Sequence, residues 1–265
     1  HQHKRGTTMK KLLSILLTGA ALAASSVSAS AELRFGVMNE PYPPFFTKDA
    51  SGKWVGWEID LMDAVCEEMK EQCSIVDIAW DGLIPGLQAK KIDVIWSSMS
   101  ITEERKKTIA FTDKYYNTPS KLIGAKDGIM GAGPDDVAGK IIGIQVSTVQ
   151  SDYYAKYFKD KASEKTYATL DEAFQDLAAG RIDYVFGDAM PLDEFLKSSY
   201  GESCCEDKGN VADDPAILGS GIGGGLRQDD TELQAKLNAA IAAVRASGKY
   251  KEISDKYFSF DPYGE

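Results

Sequence analysis

Histidine is missing from almost the whole sequence. The two histidines, His1 and His3, both precede Met9, so none follows that methionine. Serine and cysteine nucleophiles usually depend on a histidine base, and many zinc sites use histidine ligands. The absence therefore excludes Ser-His and Cys-His nucleophilic chemistry and every metal site that contains histidine.

Long apolar runs are also missing, apart from one near the N-terminus. The run Leu12–Ala24 follows two lysines and precedes the small residues Ala29–Ala31. It is too short to span a bilayer comfortably, and this order of basic, apolar and small residues is typical of a secretory signal. We expect residues 1–31 to be removed and the remainder to be a soluble periplasmic protein, exported through the Sec pathway.

Basic residues are in the minority. The sequence has 30 Lys and Arg, four of them within residues 1–31, against 40 Asp and Glu, so the mature chain carries a formal charge of −14. Nucleic acids and anionic membranes attract basic surfaces. We therefore expect neither as a partner of this acidic protein.

Cysteine is scarce. Without histidine, the remaining metal option is a cage of all four cysteines, and their spacing matches no zinc pattern. In an oxidising periplasm, Cys66 and Cys73 predict a disulfide between a helix and the next strand. The adjacent Cys204 and Cys205 form either a vicinal disulfide or two separate thiols. We expect neither a metal nor a cofactor.

Short apolar segments alternate with amphipathic ones along the rest of the chain, which is typical of α/β proteins. The predicted strands are LRFGV, CSIVDIA, IDVIW, KIIGIQV, IDYVFGD and a segment near Lys121–Ala125. The predicted helices are IDLMDAVCEEM, GLIPGLQAK, TEERKKTI, TLDEAFQDLAAGR, ELQAKLNAAIAAVRASG and about Ser151–Phe158. This order predicts parallel sheets covered by helices on both faces.

Two segments have the same pattern of a helix end, a basic residue, Ile-Asp, an apolar strand and a polar tip. They are LQAKKIDVIWSS and LAAGRIDYVFGD. The repetition indicates two similar lobes. Because ligands of open α/β sheets bind outside the carboxyl ends of strands, we expect Ser97–Ser100 and Asp188 on facing rims of one cleft.

The segment Trp96–Arg105 reads WSSMSITEER. Its Ser100–Glu103 part is a capping box, which predicts a helix capped by Ser100. A cap needs one hydroxyl, whereas this segment has four. A helix N-terminus also presents N–H groups to an anion, and Arg105 adds a fork that fits a carboxylate. We therefore favour an anion-binding site over a simple cap.

Three further residues each allow a structural and a functional interpretation. Asp188 either caps a helix that begins near Pro191 or binds an ammonium group opposite Arg105. Tyr42 lies among prolines and Trp80 at a strand end. Both rings either pack within the fold or line the cleft and flank a ligand side chain.

The segment Gly219–Gly224, GSGIGG, matches the dinucleotide fingerprint G-x-G-x-x-G only weakly. A true fingerprint follows the first strand and opens directly into a helix. Here the glycines lie late in the chain, and the next predicted helix begins near Asp230 or Thr231. We interpret the segment as a flexible extended crossover.

Taken together, these segments resemble the periplasmic amino-acid-binding proteins of ABC transporters, above all the binders of lysine/arginine/ornithine, histidine and opines. The resemblance is carried by FGVMNEPYPPF, GWEIDL, WDGLIPGLQAKKIDVIWSSMSITEERKKTIAFTDKYY, GRIDYVFGD, GLRQDDTEL and KYFSFDPYG. It implies the type II periplasmic-binding-protein fold, in which two α/β lobes joined by two crossover strands close by a hinge. Residues 32–118 with 221–265 would form lobe 1, and residues 119–220 would form lobe 2.

The resemblance also implies how the polar ends of an amino acid bind. Arg105 would hold the carboxylate, helped by the N–H and hydroxyl of Ser100. Thr148, in the loop QVSTVQ of the second lobe, would add an N–H group. The carbonyl of Ser98 and the carboxylate of Asp188 would bind the ammonium group.

The same family pattern implies which residues contact the side chain of the ligand. Tyr42 and Trp80 would flank it, with Ser97 close by, and Glu40 would be the acid that faces a cationic side chain. The expected protein is a monomeric receptor, not an enzyme. It would capture a polar or cationic L-amino acid, or an opine, and deliver it to an ABC-type membrane permease.

Two alternatives come from other classes of protein. Some proteins that resemble this fold are dehydratases acting on small carboxylic acids, and Glu40, Glu58 or Asp188 would then serve as the acid or base. A ligand-sensing domain of a signalling protein is the other alternative, and the lack of a transmembrane run or output domain in the sequence disfavours it.

Overall fold

The chain, seen in a computed structural model that describes residues 31–264, alternates strands and helices throughout. The strands are β1 (Leu33–Met38), β2 (Thr47–Lys48), β3 (Trp54–Val55), β4 (Cys73–Ile78), β5 (Val94–Ile95), β6 (Ala110–Phe111), β7 (Ser120–Ala125), β8 (Ile141–Gln145), β9 (Ser163–Tyr167), β10 (Tyr184–Asp188), β11 (Cys205–Asn210) and β12 (Gly225–Leu226). The helices are α1 (Trp57–Met69), α2 (Leu83–Gln88), α3 (Glu103–Lys106), α4 (Val149–Tyr153), α5 (Leu170–Ala178), α6 (Ala189–Lys197), α7 (Ser199–Cys204), α8 (Pro215–Leu218), α9 (Thr231–Ala246) and α10 (Lys249–Asp255). The secretory signal predicted in the leader lies outside the described residues.

The first sheet has the order β4-β1-β5-β12-β6. Successive side chains of a strand point to opposite faces, so β1 contacts two groups of helices. Phe35 and Val37 belong to the core formed with α1, α9 and α10. On the other face Gly36 lies against Leu83 of α2 and against Ile92, where a larger side chain would collide. The sheet is therefore covered on both faces, as the sequence predicts.

The second sheet has the order β11-β7-β10-β8-β9. In each sheet three neighbouring strands are parallel, namely β4, β1 and β5 in the first and β10, β8 and β9 in the second. The remaining pairings are antiparallel. The predicted parallel pairing thus holds for three strands of each sheet and not for the others. The physical reason is that β7 and β12 each follow a passage from the other sheet, whereas parallel neighbours are joined by a crossover connection within one sheet.

The chain passes between the two sheets twice, between β6 and β7 and again between β11 and β12. The two passages run side by side, because Ile222 pairs with both Ser100 and Tyr116. The glycine-rich segment Gly219–Gly224 is therefore an extended crossover, and no helix follows it until Thr231. The predicted lobe boundaries fall within these passages and stay a prediction, whereas the two α/β lobes are confirmed.

Both cysteine pairs form disulfides. Cys66 of α1 is bonded to Cys73 of β4, with their Cα atoms 6.4 Å apart, which confirms the prediction. Cys204 and Cys205 are bonded to each other at the junction of α7 and β11, with a Cα separation of 3.7 Å. The structure thus decides for the vicinal disulfide. Between residues 31 and 264, no helix has the length and apolar character needed to cross a membrane.

Candidate functional site

A cavity lies between the two lobes, where the carboxyl ends of strands from both sheets meet, as expected for open α/β sheets. Lobe 1 contributes residues at or after the ends of β1, β4 and β5, and lobe 2 contributes residues at or after the ends of β8, β9 and β10. The lining residues are Met38, Tyr42, Trp80, Ser97, Ser98, Ser100, Arg105, Gln145, Thr148, Val149, Gln150, Leu170, Phe186, Gly187 and Asp188. Eight of the nine predicted ligand-binding residues are among them.

Glu40 is the predicted residue that does not line the cavity. It is half-buried, and its charge contributes to raising the pKa of Asp171 in α5, together with the burial of that carboxyl. Glu40 therefore lies near an acid of the other lobe. Its proposed contact with a cationic ligand side chain stays a prediction.

Arg105 belongs to the short helix α3. The cap of this helix is Thr102, whose hydroxyl oxygen accepts a hydrogen bond from the Arg105 N–H at 3.1 Å. The prediction that Ser100 caps the helix is wrong. Because Ser100 is held in extended pairing with Ile222, the helix begins two residues later than the capping box suggests.

The guanidinium group of Arg105 contacts both lobes. Its Nη1 donates to the Ser100 carbonyl at 2.9 Å, and its Nη2 donates to the Ser147 carbonyl at 3.3 Å. The Trp80 ring lies 5.6 Å from the guanidinium carbon, within range of a cation–π contact. Burial lowers the pKa of Arg105 to about 10, although the negative charges of Asp188 and Asp152 act to raise it. Arg105 is therefore a charged, poorly solvated cation at neutral pH.

Asp188 is the buried carboxylate of lobe 2. It occupies the position before α6, but its side chain makes no cap hydrogen bond, so its interpretation as a helix cap is wrong. Its two oxygens instead accept from the Tyr42 hydroxyl at 2.6 Å and from Gln150 Nε2 at 2.9 Å. Burial raises the pKa of Asp188, while these two donors and Arg105 oppose that rise.

Four hydrogen bonds join the lobes across the cavity. Besides the Tyr42–Asp188 and Arg105–Ser147 contacts, Trp80 Nε1 donates to the Ser147 carbonyl at 3.1 Å. Gln145 Nε2 donates to the sulfur of Met38 at 3.3 Å. Tyr42 and Trp80 therefore line the cleft and connect its two rims, which supports the functional interpretation of both rings.

Two predicted hydroxyl groups are already used by the fold. Ser97 Oγ accepts from the Met38 N–H at 2.9 Å and joins the ends of β1 and β5. Thr148 caps α4, because its hydroxyl accepts from the Ser151 N–H and donates to the Gln145 carbonyl at 2.8 Å. Both residues line the cavity, so any direct contact with a ligand would use their remaining groups.

Two further residues hold the site together: Gln150, which the sequence analysis missed, and Glu58, which it named only as an acid or base for the dehydratase alternative. Gln150 fixes Asp188 and also donates to Ser120 Oγ at 2.9 Å. Glu58 accepts from the N–H and hydroxyl of Ser98, at 2.8 and 2.7 Å, although it does not line the cavity. The signal for Glu58 was an acid in GWEIDL on a helix face that is otherwise apolar.

The chain is similar to known bacterial binding proteins over nearly its whole length. Residues 33–260 match the bacterial extracellular solute-binding proteins, family 3. The L-arginine-binding protein of Pseudomonas aeruginosa is 41% identical, over 97% of this chain and 99% of that protein. The histidine-binding periplasmic protein of Salmonella typhimurium is 40% identical, over 97% of this chain and 100% of the relative. The solved structure of an ancestral arginine-binding protein bound to arginine is similar to this chain with a TM-score of 0.78 and 32% sequence identity. The match covers 86% of this chain and 98% of the ancestral protein's chain.

Proposed function

Because the chain belongs to the bacterial extracellular solute-binding proteins of family 3, we propose that it is a periplasmic receptor for an L-amino acid, which it delivers to an ABC-type permease. The relatives named above bind arginine and histidine. The proposed ligand therefore has a cationic or polar side chain, and opines belong to the same class because they retain the amino-acid end.

The pairing of Arg105 and Asp188 in one cavity carries this proposal. The two side chains come from different lobes, have opposite charges and both line the cleft. An amino-acid zwitterion has a carboxylate that fits a guanidinium fork and an ammonium group that fits a carboxylate. A ligand that lacked either end would leave one buried charge without a partner, which is costly.

The remaining contacts follow from the groups at the rims. Ser100 and the N–H of Thr148 lie on the Arg105 side of the cavity, where we place the ligand carboxylate. The Ser98 carbonyl joins Asp188 around the ammonium group. The rings of Tyr42 and Trp80, with Ser97 and the apolar neighbours Val149, Leu170 and Phe186, surround the ligand side chain. Glu40 lies outside this lining, and we expect it to face only the far end of a cationic side chain.

Ligand binding has to replace one existing contact between the lobes, the hydrogen bond from Arg105 to the Ser147 carbonyl. The second hydrogen bond to this carbonyl, from Trp80, should form again when the lobes close. A ligand carboxylate carries a full negative charge, so it competes better than a carbonyl for the guanidinium group. We propose that the lobes open by the hinge, that the ligand occupies this position, and that closure then excludes water.

Thermal unfolding with a panel of L-amino acids and opines tests the proposal. A specific ligand at a hundredfold excess over its Kd stabilises the native state by about 2.7 kcal/mol. For arginine, two matched controls are agmatine, which lacks the carboxylate, and 5-guanidinopentanoate, which lacks the ammonium group. Both should stabilise the protein far less than arginine does. A panel without any stabilising compound would contradict the proposal.

No observation favours the dehydratase alternative. Such chemistry needs an acid or base that faces the ligand, whereas Glu58 is enclosed behind Ser98 and Asp188 is held by two donors. The relatives named above are binding proteins. We therefore expect the ligand to be recovered chemically unchanged after incubation with the purified protein, as judged by mass spectrometry.

A further inference from the structure

Glu58 is a fully buried acid that does not line the cavity. It lies in the first turn of α1 and accepts three hydrogen bonds, from the Ser98 N–H, the Ser98 hydroxyl and the Tyr115 hydroxyl. Its surroundings are aromatic, since Trp96 stacks on Tyr115 with ring centroids 4.2 Å apart. A buried carboxylate with three donors is an organised feature of the fold, because such a group is costly without partners.

These contacts decide what Ser98 offers to a ligand. Its N–H and its hydroxyl both point at Glu58, so its carbonyl is the polar group left for the cleft. Ser98 also has a φ of 54°, a left-handed conformation that a residue other than glycine keeps only where its surroundings enforce it. Glu58 holds Ser98 in this conformation, because it accepts two hydrogen bonds from that residue.

We propose that Glu58 is a positioning residue of the binding site: its ionised carboxylate fixes Ser98 so that the Ser98 carbonyl faces the ligand ammonium group, and its charge strengthens the capture of that cation. The inference rests on the proposed function, since it assumes that an amino acid binds in the cleft. It gives Glu58 a role in ligand binding although Glu58 does not contact the ligand and acts on its position through Ser98.

The charge of Glu58 is set by the groups that face it. Ser98 and Tyr115 donate hydrogen bonds to it, and the titratable groups around it are the hydroxyls of Tyr42, Tyr115 and Tyr116 and the carboxylate of Asp188. Burial raises the pKa of Glu58 to about 7, while the hydrogen bonds from Tyr115 and Ser98 lower it and Asp188 raises it. Glu58 is therefore ionised above about pH 7. Below that pH it is protonated, it has lost its charge, and it can no longer accept all three bonds.

The inference gives a direction to the pH dependence of binding. An ammonium group near the Ser98 carbonyl favours the ionised form of Glu58, so affinity should rise as the pH rises through about 7. A ligand-induced shift of one pKa unit would change the Kd by about tenfold. The ligand itself does not interfere between about pH 5.5 and 8, because the charges of L-arginine and L-glutamine are constant there.

The test is titration calorimetry of the whole mature protein with L-arginine, and with L-glutamine as a neutral side-chain probe, across this pH range. Glu58→Gln keeps the size of the side chain and one acceptor but removes the charge. We expect this variant to lose the inflection near pH 7 and to bind about tenfold more weakly than the wild type at pH 8.

Tyr115→Phe and Tyr116→Phe form a matched pair of neighbouring substitutions. The Tyr115 hydroxyl lowers the pKa of Glu58, so its removal should move the inflection to higher pH. Among the described residues the Tyr116 hydroxyl has no hydrogen-bond partner and does not donate to Glu58, so its removal should leave the inflection in place. A purely structural role of Glu58 would instead weaken binding equally at every pH.

The outcomes separate the two proposals. If the wild type binds neither probe, the titration uses the compound of the panel that stabilises the protein most; if no compound of the panel stabilises it, the proposed function fails, and this inference fails with it. If the wild type binds without an inflection, or Glu58→Gln keeps the wild-type pH profile, the inference alone is overturned. Should Glu58→Gln not fold, Tyr115→Phe decides, and an unmoved inflection in that variant would overturn the inference.

Discussion

Replacement of Arg105 by alanine should abolish amino-acid binding while the fold stays intact. A charge-assisted hydrogen bond contributes about 1.5–3 kcal/mol, and a ligand carboxylate on the guanidinium fork makes two of them. Their loss amounts to about 3–6 kcal/mol, and because 1.4 kcal/mol is a factor of ten, the Kd should rise by at least about 100-fold. Titration calorimetry at neutral pH would measure this change.

The fold should tolerate the substitution, because Arg105 donates to only two carbonyls, those of Ser100 and Ser147. Removing a poorly solvated cation also offsets part of the lost bonding, so we expect the melting temperature without ligand to fall by less than about 5 °C. Arg181→Ala is the matched control, since Arg181 is exposed on lobe 2 and pairs with Asp176 at 3.1 Å. It should bind as the wild type does. Unchanged calorimetric affinity in Arg105→Ala would refute the carboxylate assignment.

Three further predictions follow from the contacts around the cleft and the first disulfide. Asp188→Asn should weaken calorimetric binding of an amino acid by at least about tenfold but leave its des-amino analogue almost unaffected; equal losses would make Asp188 structural. Trp80→Phe keeps an aromatic wall but loses the bond to Ser147, so the dissociation rate measured by stopped-flow fluorescence should rise severalfold, and an unchanged rate would contradict a role in closure. Cys66→Ser with Cys73→Ser should lower the free energy of unfolding in urea by about 2–3 kcal/mol, and reductant should destabilise the wild type more than this variant, which keeps only the Cys204–Cys205 bond.

Local patterns predicted much of the fold correctly. The helices around Cys66, Phe174 and Leu237 and the strands around Val37 and Val185 lie where periodicity placed them, because the spacing of apolar residues and the burial of a helix or strand face are properties of short segments. The disulfide between Cys66 and Cys73 could also be predicted, because the two cysteines lie close together in the sequence. What failed was the direction of β7 and β12, because strand direction depends on how the chain crosses between sheets.

The composition and motifs of the sequence were enough to exclude histidine chemistry, to place Ser97–Ser100 and Asp188 at strand ends and to assign the family. Only the tertiary structure decided which hydroxyl caps α3, since Ser100 is held by Ile222 from a segment more than a hundred residues away. It likewise showed Glu58 behind Ser98, and Glu40 outside the cavity lining. The physical reason is that a side chain's chemistry is local, whereas its partners and its exposure to water depend on contacts between distant parts of the chain.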